Sequence, residues 1–114
     1  MNAYDKAHEL ARDIKETQEY KDYIAVRDEV YEDEQNKRMI RDYKKLNFEL
    51  QTIYMAGKEP AEEDAAKLQK MGEVLQFNPK ITEFFAKEYK FNTLVSDIYK
   101  IIGEACDIGV DFYD

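Results

Sequence analysis

Met39, Tyr43, Leu46, Leu50 and Ile53 follow one another at steps of four, three, four and three residues. On an α-helix that spacing keeps all five on one side, whereas on a strand it would scatter them over both faces. Sustained over two heptads, it is the seam by which helices pack lengthwise. A chain carrying it must fold around packed helices. Asp33 fits the N-cap of this helix, with Glu34 adding an acidic first turn, and Gly57 fits its C-terminal stop. The expected helix is the longest of the chain and runs from about Glu34 to Ala56.

Four more segments share the helical period. Near the start, Ala3, Tyr4, Ala7, Leu10, Ala11 and Ile14 form a stripe of mostly small residues suited to close approach. Thr17 then caps "QEYKDYIAVRDEVY", where Tyr20, Ile24 and Tyr31 align. After the "KEPAEEDA" turn, Ala61, Ala65, Leu68, Gly72 and Leu75 make the stripe of a fourth helix. Asn78 and Pro79 are a suitable cap and first residue for the last helix, whose stripe is Phe84, Phe91, Val95, Ile98 and Ile102. Gly103 either ends that helix or weakens it. Acid-first pairs four apart, Asp33/Lys37, Glu34/Arg38, Glu63/Lys67 and Glu83/Lys87, agree with these boundaries.

Composition narrows the class further. With 114 residues the chain has material for one domain, residues 1–114, and a modest core. Charged residues make up 37% and the formal net charge is −8, which disfavours direct contact with nucleic acid or an anionic membrane. No leader-like stretch and no apolar run of membrane-spanning length is present, and a single Cys cannot form an internal disulfide; together these point to the cytoplasm.

Chemistry-bearing residues are few. His8 is the only histidine and Cys106 the only cysteine, and they lie at opposite ends of the chain, so no nucleophile–base pair is evident. Asp5 and His8 are half of a helical metal motif that needs further carboxylates and a second His. The runs "YEDE" and "PAEEDA" lack the alternation and central Gly of a calcium loop, and they suit helix N-termini instead. Cys106 reads first as a small apolar residue near a helix end, with Glu104 and Asp107 dulling its reactivity. Its alternative role is as one ligand of a metal or iron–sulfur site completed between chains. No cofactor and no catalytic residue are expected.

Surplus hydrophobicity points outward. Phe48 and Met55 fall roughly opposite the Met39–Ile53 seam, and Leu94 and Ile101 lie about a quarter-turn from the last helix's stripe. A second apolar line on a helix means burial on two sides or an exposed patch with a purpose. Phe48, Met55, Leu94 and Ile101 are therefore the candidate interface residues.

The stretch "RDEVYEDEQNKRMIRDYKKLNFELQTIYMAGKEP", the Ala/Glu-rich helix after it and "KITEF…LVSDIYKII" resemble the YheA-like proteins within the YlbF/YmcA group of small helical bacterial proteins. The resemblance covers nearly the whole chain. It implies a helical, dimeric, cytoplasmic protein without catalytic residues. Better-known relatives are regulators that act by binding proteins, in a complex influencing competence, sporulation, biofilm formation and messenger-RNA processing. Some bind iron–sulfur clusters through several cysteines in a C-terminal extension; with Cys106 alone and Asp114 the last residue, that property is not carried over.

The expected protein is thus all-α, an elongated antiparallel bundle of four to five helices with one long central helix. It would be non-enzymatic and would act as a homodimer built on the long helix and the last helix, with a further regulatory protein as a second partner.

Overall fold

A computed structural model describes residues 2–108, and these form five α-helices with no strand among them. They are α1 (Ala3–Lys15), α2 (Gln18–Tyr31), α3 (Glu34–Met55), α4 (Glu62–Gln76) and α5 (Pro79–Ala105).

Local chemistry sets the boundaries. The Asn2 side chain accepts from the Asp5 amide and opens α1. Thr17 Oγ1 both donates to the Ile14 carbonyl and accepts from the Tyr20 amide, closing α1 and opening α2 with one hydroxyl. Asp33 accepts from the Gln35 and Asn36 amides at 2.8 and 3.3 Å, and Asn78 accepts from the Lys80 amide at 3.0 Å. At the end of α3, Gly57 takes φ 79° while the Lys58 amide donates to Ile53 and the Gly57 amide to Tyr54. That paired arrangement satisfies carbonyls the helix would otherwise leave open, and it needs a left-handed residue.

Gly103 does not end the last helix, which makes α5, at 27 residues against 22 for α3, the longer of the two. The stop comes later. Asp107 adopts φ 56° and the Ile108 amide donates to the Gly103 carbonyl at 2.9 Å.

The chain divides into two compact units. One is Val26–Phe84, comprising the second half of α2, all of α3 and α4, and the first turns of α5. Every buried apolar side chain among the described residues lies here: Val26, Val30, Ile40, Leu50, Leu75, Ile81 and Phe84. Helices α3 and α4 pack as a pair, and the absence of a side chain at Gly72 leaves room for the Tyr43 ring. Tyr31 meets Phe84 with ring centroids 5.7 Å apart, and Lys44 stands over the Phe84 ring at 5.2 Å.

The burial on α3 is rotated from the expected seam. Met39, Leu46 and Ile53 are only half-buried, whereas Ile40 is fully buried. The two buried residues of α3, Ile40 and Leu50, lie on a line with the half-buried Tyr43 and Asn47, again at steps of three and four, which shares Tyr43 and Leu50 with the seam.

The other unit holds α1, the first turns of α2 and α5 from Phe85 onward. Phe91 organises it: Tyr23 stacks on its ring at 5.3 Å and Tyr20 meets its edge at 5.4 Å. None of its described apolar side chains is buried; Leu10, Ile14, Leu94, Val95 and Ile98 are half-buried. The Ala stripe of α1 is exposed, because methyl groups offer too little area to hold a face down. Ile102, expected in the core stripe, is 44% exposed.

Candidate interaction surface

The residues with reactive side chains are dispersed. His8 is exposed on α1, and among the described residues no three His, Cys, Asp or Glu side chains gather as a metal site would require. Cys106 follows the last residue of α5 and is exposed, so its place at a helix end is as expected but it is not a packed core residue. Glu104 and Asp107 are exposed as well. Between α3 and α4 runs an open groove of about 520 Å³, lined by Tyr43, Asn47, Gln51, Tyr54, Gln69 and Gln76 among others. Amides, phenols and the carboxylate of Glu73 supply hydrogen-bonding groups there.

What the surface does offer is large apolar side chains on regular helices. On α3, Phe48 is 71% exposed and Met55 86%. On α5, Ile101 is 67% exposed and Leu94 half-buried. The four candidate interface residues thus belong to two separate units, Phe48 and Met55 to Val26–Phe84, Leu94 and Ile101 to the other.

Continuing the Phe48–Met55 spacing along α3 reaches charged residues that apolar periodicity does not mark. Arg38, Arg41, Lys45, Phe48, Thr52 and Met55 follow at steps of three and four, and all six are exposed. The spacing of four pairs Arg38 with Glu34. No such pair forms, nor do the other three that were expected among the described residues. In two of the four pairs both members have another partner. Asp33 spends its carboxylate on the α3 cap, Lys37 lies over the Tyr31 ring at 5.8 Å, Glu83 meets Lys80 and Lys87 meets Asp22. Arg38, Arg41 and Lys45 are left with no ion pair or hydrogen bond among the described residues.

Helix ends, packing and dispersed titratable groups define an all-helical protein whose distinctive features are helix surfaces. No helix among the described residues is long and apolar enough to cross a membrane. The family model described as "Control of competence regulator ComK, YlbF/YmcA" matches residues 3–107, and the chain belongs to that family. It is 40% identical over 109 residues to a UPF0342 protein of Symbiobacterium thermophilum, covering 96% of this chain and 97% of that one. A UPF0342 protein of Caldicellulosiruptor saccharolyticus is 36% identical over 94% of this chain and 89% of its own length.

Two solved structures share the fold. One is a Bacillus stearothermophilus protein described as of unknown function (DUF964), with TM-score 0.71 and 18% identity over 91% of each chain. The other is a chain in the crystal structure of Bacillus subtilis RicA in complex with RicF, with TM-score 0.58 and 23% identity over 94% of this chain and 95% of that one. The YlbF/YmcA resemblance and the all-helical class read from sequence are both borne out.

Proposed function

We propose that this chain is a non-enzymatic, cytoplasmic regulatory adaptor that works through protein contacts, self-associating and offering a further helical surface to another protein. The observation that carries this reading is the exposure of Phe48, Met55 and Ile101 on well-formed helices, where an isolated chain gains nothing from leaving them in water. Two facts support it. The chain belongs to a family described by control of a competence regulator, and one protein of the same fold was solved in complex with another. The unit that holds Leu94 and Ile101 buries no apolar side chain of its own among the described residues, so a second copy there would supply the missing cover.

Native mass spectrometry at several protein concentrations tests the self-association. The expected result is a dimer that becomes a monomer when Leu94 and Ile101 are both replaced by Lys, with the circular-dichroism helix signal retained. A wild-type chain that stays monomeric, or a doubly substituted chain that loses its helix signal, overturns the reading.

A further inference from the structure

From the exposed α3 line we infer that Arg38, Arg41, Lys45, Phe48, Thr52 and Met55 form a docking strip for an acidic amphipathic helix of a different protein. The inference rests on reading the chain as a protein-binding module, and it assigns Phe48 and Met55 to a partner other than a second copy.

Three features of the strip carry it. The first is charge. In a chain of net charge −8, residues 37–45 hold five of the 17 basic side chains against one carboxylate, Asp42. Two of the five are turned inward over aromatic rings, Lys37 over Tyr31 and Lys44 over Phe84. The remaining three, Arg38, Arg41 and Lys45, lie on the exposed line and carry no ion pair among the described residues.

The second feature is order. The basic half is continued by an apolar half at coiled-coil spacing, Phe48 and Met55, with Thr52 between them. Thr52 Oγ1 already donates to the Phe48 carbonyl at 2.8 Å, so covering it would strand no donor. A complementary helix therefore has carboxylates facing the first three positions and aliphatic side chains facing Phe48 and Met55.

The third feature excludes a second copy. In a parallel, in-register pair, Arg38, Arg41 and Lys45 would each face themselves. In an antiparallel pair centred on the strip, the flanking carboxylates Asp42 and Glu49 of one chain would lie beside Glu49 and Asp42 of the other. Either pairing sets like charges together, which specific helix pairs avoid. Nucleic acid would meet the basic half but find no use for Phe48 and Met55, and it would be repelled by the rest of the chain.

The test uses two synthetic helical peptides, labelled with a fluorophore, with Glu opposite the basic half and Leu opposite the apolar half, one in each chain direction. Fluorescence anisotropy should show one of them binding the full chain, weakening as salt is raised. Arg38→Glu/Arg41→Glu should weaken that binding at least about tenfold at low salt, and Phe48→Ala/Met55→Ala by a similar factor, whereas Arg38→Gln/Arg41→Gln should lose less than the charge reversal. All three variants change only exposed side chains, so helix signal and subunit count should match wild type.

Failure of both peptides to bind, or binding indifferent to the substitutions, overturns the inference. So does a change in subunit count on Arg38→Glu/Arg41→Glu, which would make the strip a self-interface. Binding of a single-stranded RNA oligonucleotide, lost in the same variant while neither peptide binds, also overturns it. The self-association reading fails separately, if Leu94→Lys/Ile101→Lys leaves the subunit count unchanged.

Discussion

The Cε1 atom of Tyr43 lies 3.4 Å from the point where a Cβ on Gly72 would stand, so the α3–α4 pair meets through a ring against a bare backbone. One methyl fits at that distance and a branched side chain does not. Alanine also restrains the unfolded chain and suits a helix interior better than glycine, by roughly 1 kcal/mol. Gly72→Ala should therefore leave stability unchanged or raise it by up to about 1 kcal/mol, while Gly72→Leu should lower it by about 1–3 kcal/mol by displacing the ring. Urea midpoints of the two variants decide the matter. A destabilised alanine variant would show that the Tyr43 ring sits closer than described.

The two helix ends at left-handed residues make opposite predictions. Gly57 at φ 79° has nothing within 4 Å of a Cβ, so substituting it costs conformational strain alone. Gly57→Ala should destabilise by about 1–2 kcal/mol. Asp107 takes φ 56° with a side chain that tolerates this region imperfectly. Asp107→Gly should stabilise the last turn of α5 by up to about 1 kcal/mol, seen as slower amide exchange at Ile108. Equal effects of the two substitutions, in either direction, would contradict the paired closures described.

Lys80 reaches Glu29 at 3.2 Å and Glu83 at 3.6 Å. Its hydrogen bond to Glu29, then the charges of Glu29 and Glu83, hold its pKa above the ordinary lysine value of 10.5. A raised lysine binds its proton more tightly in the folded chain, so its contribution is complete below that ordinary value and fades as pH rises through the folded one. The contribution is small because Lys80 and both acids are well exposed to water. In denaturation series taken above pH about 10, wild type should lose stability more steeply than Lys80→Met. Superimposable slopes would remove Lys80 from the alkaline transition.

Local signals were legible because each acts within a turn of helix. Asp33, Asn78, Thr17 and Gly57 terminate helices where their side-chain chemistry implies, through bonds spanning two to five residues. The position of the core was harder to read. Asn47 puts an amide in the line that joins buried Ile40 to buried Leu50, so apolar periodicity favours the uninterrupted Met39–Ile53 seam, of which Leu50 alone is buried. Ile81 lies on the same line as Phe84 but in the first turn of α5, where helical periodicity has barely begun. The apolar half of the α3 strip was visible as Phe48 and Met55. Its basic half was not, because charges four apart on a helix look paired until three-dimensional placement shows them elsewhere.

Two positions on α3 turn that distinction into a measurement. Ile40 has no exposed surface and Phe48 is 71% exposed, although phenylalanine is the larger side chain. Truncating Ile40 to Ala removes buried methyl and methylene groups and leaves a cavity, which should cost about 2–5 kcal/mol. Truncating Phe48 to Ala removes surface that water already reaches, and alanine suits a helix better, so the change should stay within about 0.5 kcal/mol. Chemical denaturation at a protein concentration where native mass spectrometry finds a single species gives both numbers. A large loss at Phe48 under those conditions would place its ring in an interface that forms with every folded chain, and would move the α3 strip from a docking surface to part of the core.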